Sequence, residues 1–222
     1  MTDPTDLNIL YLDNHLLVVR KPTGMLVQGD RTGDVPLLEV ARQYLKKKFN
    51  KPGNVFLGLV HRLDRPVSGV MVFARTSKAA SRLSDQIRER QVRKIYWALV
   101  NGETSAQGVM EDFIVRRRMS SQIVEEGGQY AKLAYRLLAY RKGVSWVEIE
   151  LMTGRHHQIR VQFSSRGHPI LGDFRYGAKE RFCENAFALH ARSLSFVHPT
   201  RRENMTFEAD PDLCWQRYIG DF

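Results

Sequence analysis

Two short stretches of the chain concentrate side chains that could do chemistry. The first, His61–Gly69, places Asp64 between Arg62 and Arg65, and the second, Thr153–Arg160, contains two arginines and two adjacent histidines. Groups of this kind at such density are typical of reactive or ligand-binding sites. They fit equally well a loop and a helix start that are held together by salt bridges. From the residues alone, both interpretations stand.

Several common chemistries have no counterpart in the sequence. The chain has neither a Walker A motif nor a glycine-rich dinucleotide-binding motif. Ser68 lacks the first glycine of a nucleophile elbow, and no H-E-x-x-H or C-x-x-C spacing supplies a zinc site. His156 and His157 are adjacent, and we expect their side chains to diverge on a helix or a strand. The sequence therefore predicts no metal and no organic cofactor.

The elements around the two stretches indicate an α+β protein. Apolar runs at Val55–Val60 and Val70–Ala74 predict strands on either side of the first stretch, where a rigid scaffold commonly presents reactive groups. We predict that Ser77 caps a helix to about Arg90 and that Thr153 caps another, which stops at Gly167. Periodicity predicts further strands at 7–12, 15–20, 94–100, 131–140 and 144–150, the last two as a hairpin, and a helix at 36–49. We expect one continuous domain over residues 1–222.

The charge of the chain favours a polyanionic partner. Its 222 residues include 34 Lys+Arg and 24 Asp+Glu, a formal net charge of +10. Such a surplus fits nucleic acid first and an anionic membrane second, although it is also explained by solubility alone. Three basic runs favour an extended anionic ligand; they lie at Arg75–Lys94, Arg116–Arg118 and Lys46–Lys48. We expect Arg82 and Arg88 to point away from the protein interior, free to meet a phosphate.

The sequence also predicts a compartment. No apolar stretch approaches the length of a membrane span, and the N-terminus shows no secretory signal. Two cysteines, Cys183 and Cys214, are too few for a disulfide framework. We therefore expect a cytoplasmic protein with no membrane partner.

The two stretches together resemble the signature motifs of RluA-type RNA pseudouridine synthases. The matches are residues 61–64 with 68–69, and residues 153–160. Further matches follow in the family's order over nearly the whole chain, at 21–24, 94–96 with 100–102, 167–173, 189–191 and 198–199. Val67 stands where the family usually has Thr, and Arg65 with Pro66 is an uncommon filling of the pair after the aspartate. No expected catalytic group is missing.

The resemblance implies a fold and a reaction. The fold is the pseudouridine-synthase-like α+β fold, with a mixed, mostly antiparallel sheet, flanking helices and a central catalytic cleft. The reaction converts a specific uridine in rRNA or tRNA to pseudouridine without a cofactor or metal. Asp64 corresponds to the catalytic aspartate, Arg160 to its ion-pair partner and Tyr96 to the aromatic residue that packs on the target base. Attack of Asp64 on C1′ and proton removal from C2′ both stay open.

The resemblance also implies how RNA is bound. Arg62 corresponds to the residue that fills the base stack when the uridine is flipped out. We expect RNA contacts from a set of basic residues that comprises Arg62, Arg155, Arg65, Arg88, Arg90 and Lys94. His61 is expected to support the loop rather than transfer protons. We expect no S4-type RNA-binding domain ahead of Leu7, and a monomer whose catalytic domain itself recognises a short stem-loop.

A different class of function remains as the alternative. A non-catalytic RNA-binding assembly factor or RNA chaperone on the same scaffold would have the same basic surface. Asp64, Tyr96 and Arg160 argue against it, because a protein without the activity has no physical need for all three. A nuclease or glycosylase fits less well, since the sequence shows no metal-ligand cluster or paired acid–base motif.

Overall fold

Residues 7–220 are described by a computed structural model, and they divide into two units. The first unit holds the chain up to Val92 together with Ser193–Asp210, and the second holds Arg93–Arg192 together with the residues from Pro211 onward. Both units combine antiparallel strands with helices, so the predicted α+β class is confirmed. The single-domain assignment and the central cleft stay predictions.

The first unit is built on a buried strand pair. Its elements in chain order are β1 (Ile9–Leu12), β2 (Leu16–Lys21), α1 (Leu37–Lys48), β3 (Gly58–Leu59), β4 (Ser68–Ala74) and α2 (Ser77–Arg88). The pairings β1–β2, β2–β4 and β3–β4 are antiparallel. Val18 and Val72 lie opposite each other and join one core cluster with Leu83 of α2. This cluster anchors β4, the strand that follows the Asp64 loop.

Two predictions in the first unit are wrong in detail. The Val55–Val60 run forms only the two-residue strand β3. Thr76, rather than Ser77, caps α2; its extended backbone lets its side chain accept a hydrogen bond from Ala79 N at 3.2 Å. The helix ends at Arg88.

The second unit contains an antiparallel sheet with a helix packed on it. Its elements are β5 (Arg93–Asn101), β6 (Gln107–Arg116), β7 (Ser121–Val124), β8 (Gln129–Arg141), β9 (Val144–Leu151) and α3 (Gln158–Ser164). These strands lie in the order β5-β9-β8-β6-β7. The predicted hairpin is confirmed as β8 and β9, whose turn holds Lys142 and Gly143 at positive φ as a tight hairpin requires. Val161 of α3 packs on Ile114 and Ala131 of the sheet.

Helix α3 begins later than predicted. Thr153 does not cap it, and the residue before its first turn is His157 in the left-handed conformation, with φ at 54°. The chain bends there before entering the helix, so the Thr153 hydroxyl donates to the side chain of Gln158 and accepts from Lys132 N of β8 rather than from an N–H of the helix. The predicted stop at Gly167 is confirmed, since Gly167 adopts a φ of 81° just after the helix.

The remaining elements belong to the end of the chain. Strand β10 (Leu189–Val197) has residues in both units, and its last residues pair antiparallel with β11 (Asn204–Glu208) in the first unit. A short helix, α4 (Gln216–Ile219), follows in the second unit. None of the helices among residues 7–220 is long and apolar enough to cross a membrane.

Candidate active site

Asp64 lies half-buried on the loop that leads into β4. Its backbone carbonyl accepts a hydrogen bond from Val67 N at 3.0 Å, which closes a tight turn directly after the carboxylate. The Val67 side chain is only 3% exposed. An apolar residue at this position therefore suits the turn, and β4 starts from a fixed point beside Asp64.

The segment from Lys21 to Thr23 anchors the Asp64 loop through hydrogen bonds. The side chain of Lys21 is fully buried, and its Nζ donates a hydrogen bond to the carbonyl of Arg65 at 3.0 Å. Thr23 Oγ1 donates to the carbonyl of Pro66 at 2.9 Å. These bonds tie the two residues after Asp64 to the end of β2. The motif at 21–24 therefore anchors the loop that carries Asp64.

The other polar side chains of the loop differ in whether they bind other residues of the protein. Arg62 is exposed and forms no ion pair or side-chain hydrogen bond with the residues at 7–220. Arg65 is engaged, because its Nη2 lies 2.7 Å from a carboxylate oxygen of Asp34. His61 Nε2 accepts a hydrogen bond from Val72 N at 3.0 Å, which gives His61 the supporting role expected of it.

Basic residues of α2 form more hydrogen bonds and ion pairs within the protein than the sequence indicated. Arg82 is half-buried, and its Nη1 donates to the carbonyl of Pro199 at 2.5 Å, so the expectation that it is free to meet a phosphate is wrong. Arg88 is exposed but pairs with Asp85 at 2.5 Å, one helical turn away. Arg90 is exposed just beyond the helix, in the left-handed conformation. An RNA role for Arg88 and Arg90 stays a prediction.

Strand β5 carries two of the expected site residues on one face. Tyr96 is half-buried opposite Ile149 of β9, and Lys94 precedes it by two positions. Burial lowers the pKa of Lys94. Trp97 lies on the other face and packs edge-to-face on Trp146 with ring centroids 5.0 Å apart. Because neighbouring residues of a strand alternate between its faces, Tyr96 and Trp97 lie on opposite sides of the sheet.

Arg160 is fixed inside the second unit by a carboxylate that sequence reasoning missed. Its Nε and Nη2 bind the two carboxylate oxygens of Asp173 at 2.6 and 2.9 Å, and the side chains are 6% and 2% exposed. The guanidinium also lies over the rings of Tyr176 and Phe187, with Cζ 4.8 and 4.5 Å from their centroids. A buried guanidinium requires such a partner. No sequence pattern marks Asp173 as this partner, because the burial of Arg160 is seen only in the folded chain.

A hydrogen-bonded cluster surrounds the Tyr176 hydroxyl. It accepts from Ser121 N at 2.7 Å and lies 2.9 Å from His157 Nδ1. Burial raises the pKa of Tyr176, so the phenol stays neutral. The rings of His156 and His157 stack with centroids 3.7 Å apart, and the expectation that they diverge is wrong. The left-handed backbone of His157 turns the chain and brings the neighbouring rings onto each other.

Gln158 organises the stretch that precedes α3. Its Oε1 accepts hydrogen bonds from Thr153 Oγ1 at 2.7 Å and from Arg155 N at 3.1 Å. Arg155 Nε in turn donates to the carbonyl of Tyr130 at 2.9 Å. The second motif is therefore a rigid turn that is bonded to β8.

The predicted site residues are divided between the two units. The first unit carries Asp64, Arg62, Arg65, Arg88 and Arg90, and the second carries Tyr96, Arg160, Lys94 and Arg155. Within each unit the residues of one motif lie on one rigid segment. The meeting of Asp64 with Tyr96 and Arg160 stays a prediction. Among residues 7–220, no group of three or more His, Cys, Asp and Glu side chains is placed to hold a metal ion.

Known proteins resemble the chain over most of its length. Residues 15–165, which include Asp64, Tyr96 and Arg160, match the family model described as RNA pseudouridylate synthase. The ribosomal large subunit pseudouridine synthase C of Buchnera aphidicola subsp. Schizaphis graminum is 34% identical over 96% of this chain and 70% of its own length. The tRNA pseudouridine synthase C of Haemophilus ducreyi is 34% identical over 98% of this chain and 96% of its own length. The solved structure of human RNA pseudouridylate synthase domain containing 4 has a TM-score of 0.81 and 26% identity, covering 96% of this chain and 93% of that one.

Proposed function

The chain belongs to the RNA pseudouridylate synthase family, and we propose that it isomerises a uridine of rRNA or tRNA with Asp64 as the catalytic carboxylate. Members of this family are RNA isomerases, and the comparisons favour an enzyme over a non-catalytic RNA-binding assembly factor or chaperone. The similar proteins named for rRNA and for tRNA support both RNAs as candidate substrates.

The proposed reaction rearranges bonds within one nucleotide. The N1–C1′ bond of uridine breaks, and a C5–C1′ bond forms on the same ribose. C5 loses a proton and N1 gains one, so the balance requires no added group. Asp64 acts in its ionised form, either on C1′ or on the C2′ proton. We assign Arg160 as its ion-pair partner, since a nearby permanent cation favours an ionised carboxylate.

The anchoring of the Asp64 loop is the observation that carries this proposal. Lys21 and Thr23 bind the carbonyls of the two residues after Asp64, and the turn through Val67 closes the loop. A carboxylate that acts on one carbon atom must be held in place before the substrate arrives, because small displacements are costly in rate. A loop that served only as a surface connection would not need a fully buried lysine beneath it.

Further parts of the proposal concern the RNA. Tyr96 packs on the target base, and the exposed Arg62 occupies the stack after base flipping. Arg65 is a weaker candidate for phosphate contact than Arg62, because Asp34 already neutralises it. We propose a stem-loop substrate and a monomeric enzyme. The free thiols of Cys183 and Cys214 support a cytoplasmic location.

Pseudouridine mapping in cells tests this function. A strain without the gene is compared with the same strain complemented by the wild-type protein or by the Asp64→Ala variant. We expect at least one position of rRNA or tRNA to lose pseudouridine in the deletion, to regain it with the wild-type protein and to stay unmodified with Asp64→Ala. An identical pseudouridine map in all strains would overturn the proposal.

A further inference from the structure

The hairpin of β6 and β7 presents a run of arginines that the proposed active site does not use. Arg116 ends β6, and the tip is closed by a hydrogen bond from Arg117 N to the carbonyl of Ser120 at 2.9 Å. Arg116, Arg117 and Arg118 are all exposed. Within residues 7–220, none of the three forms an ion pair with a carboxylate. Their charges are therefore available to a ligand.

The longest basic run, Arg75–Lys94, uses several of its charges within the protein. Arg82 donates to a backbone carbonyl, Arg88 pairs with Asp85, and Arg93 pairs with Glu150 at 3.0 Å. At the hairpin tip, by contrast, the one polar side chain bound by Arg117 is the neutral amide of Gln122, at 3.1 Å. The positive charge of the tip is thus not compensated by this bond.

A short 3-10 helix, Phe174–Tyr176, lies against the hairpin tip and adds to the basic surface. Arg175 Nη1 donates to the carbonyl of Met119 at 2.7 Å, and Ser121 N donates to the Tyr176 hydroxyl at 2.7 Å. Arg175 is exposed and also has no carboxylate partner in the described part of the chain. The side chain of Arg175 is therefore bonded to the same tip that carries Arg117 and Arg118.

The same surface exposes apolar side chains. Phe174 is 57% exposed and Met119 is 62% exposed. Tyr176 points into the interior, and residues of a 3-10 helix are spaced at about 120°, so Phe174 and Arg175 both point outward. An exposed aromatic ring beside arginines that lack a carboxylate partner suits single-stranded RNA, since bases stack on rings and phosphates bind guanidinium groups.

This surface is linked to the residue that holds Arg160. Asp173 directly precedes Phe174, and Tyr176 of the same short helix lies under the Arg160 guanidinium. The acidic pair Glu125 and Glu126 follows β7 at the end opposite to the tip, so it does not neutralise the tip. The basic surface is therefore continuous in the chain with the residues that position Arg160.

We propose that Arg116, Arg117, Arg118, Arg175 and Phe174 form a binding site for the single-stranded RNA that flanks the target uridine. The four arginines bind backbone phosphates, and one flanking base stacks on Phe174. This inference rests on the proposed function, because it takes RNA as the ligand. It adds a contact surface that lies outside the motifs that carry the family resemblance.

Fluorescence anisotropy with a labelled oligouridylate, measured over a range of KCl concentrations, tests the arginines. The Arg117→Ala/Arg118→Ala variant removes two phosphate contacts, and we expect the slope of log affinity against log salt to fall by about 1.4. The control is Arg141→Ala/Lys142→Ala, which removes two charges from the exposed β8–β9 turn of the same unit. Equal affinities and slopes for the two variants would overturn the proposal and would leave an acidic protein as the ligand of the hairpin.

The aromatic contact has a separate signature. Phe174→Ala is expected to weaken oligouridylate binding by roughly tenfold or more, with the salt slope unchanged, because a stacked base carries no charge to release. Tyr140→Ala, on an exposed aromatic residue of β8, is the control and is expected to bind like the wild-type protein. Wild-type affinity for Phe174→Ala would overturn the stacking assignment. All these measurements are independent of isomerisation. If the protein binds RNA through the hairpin but makes no pseudouridine, the proposed function is refuted and the binding site at the hairpin stands.

Discussion

Single residues show that the charged groups of this protein are held by partners that lie far away in sequence. Arg160 is predictable from its motif, but Asp173 follows it by thirteen residues, on a different element. No spacing rule links the two, because the contact depends on how the 3-10 helix packs. The same holds for Lys21, whose bond partner Arg65 lies 44 residues further along the chain.

The buried pair of Arg160 and Asp173 gives the first prediction. Asp173→Asn removes the carboxylate that binds two nitrogens of the buried Arg160 guanidinium, and we expect the free energy of unfolding to fall by about 3–5 kcal/mol. Urea unfolding measures this loss. Glu150→Gln is the control, because Glu150 pairs with Arg93 at the surface, where such pairs contribute about 0–1 kcal/mol. Similar losses in both variants would contradict a structural role for the Asp173 pair.

The elements show which patterns specify structure and which do not. Strand β4 and the β8–β9 hairpin were predicted because continuous apolar or alternating residues leave few other arrangements. Strand β6 was not predicted, since only Met110 and Ile114 are buried along its ten residues and most of the remaining positions are polar or exposed. Helix α3 starts after Thr153 because the left-handed His157 redirects the backbone, which side-chain periodicity does not reveal.

The segment after β2 gives a prediction about the Asp64 loop. Lys21→Met keeps the unbranched, flexible side chain, one atom shorter, but removes the donor to the carbonyl of Arg65. We expect the single-turnover rate of isomerisation to fall about ten- to a hundredfold, since the loop that carries Asp64 loses its anchor. The exposed Lys51→Met variant is the matched control. A wild-type rate for Lys21→Met would show that the anchor is dispensable for catalysis.

The turn between β1 and β2 gives a prediction about stability and pH. Burial alone would raise the pKa of Asp13, but hydrogen bonds from His15 N, Leu16 N and His198 outweigh it and hold the pKa below its ordinary value. The resulting stabilisation is present above pH 3.8 and is lost as the pH falls through the lowered pKa.

Asp13→Asn therefore lowers the free energy of unfolding at neutral pH by about 1–3 kcal/mol and flattens its dependence on acid pH. Urea unfolding measured from neutral pH down to about pH 3 checks both effects. Asp85→Asn, at an exposed helix pair, is expected to leave the acid dependence close to that of the wild-type protein. An unchanged acid dependence in Asp13→Asn would contradict the assignment.

In the whole molecule, which has a net charge of +10, the basic residues differ in whether they have partners within the protein. Composition does not distinguish one basic run from another. In the structure, several basic residues in and after α2 bind partners within the protein, whereas the arginines of the β6–β7 hairpin have no carboxylate partner among residues 7–220. The nucleic-acid partner was therefore predictable from charge and motifs together. The choice of the β6–β7 hairpin as the proposed RNA-binding surface was not, because pairing between side chains depends on tertiary contacts.

Release of tritium from RNA labelled at C5 of uridine tests the central claim most directly, because isomerisation replaces the C5–H bond with the C5–C1′ bond. Purified wild-type protein is predicted to release tritium from the RNA of the deletion strain. Asp64→Ala is predicted to release none above the protein-free background while it still binds oligouridylate, and the exposed Asp30→Asn variant is predicted to match the wild type. Tritium release by Asp64→Ala at the wild-type rate would contradict the assignment of Asp64 as the catalytic carboxylate.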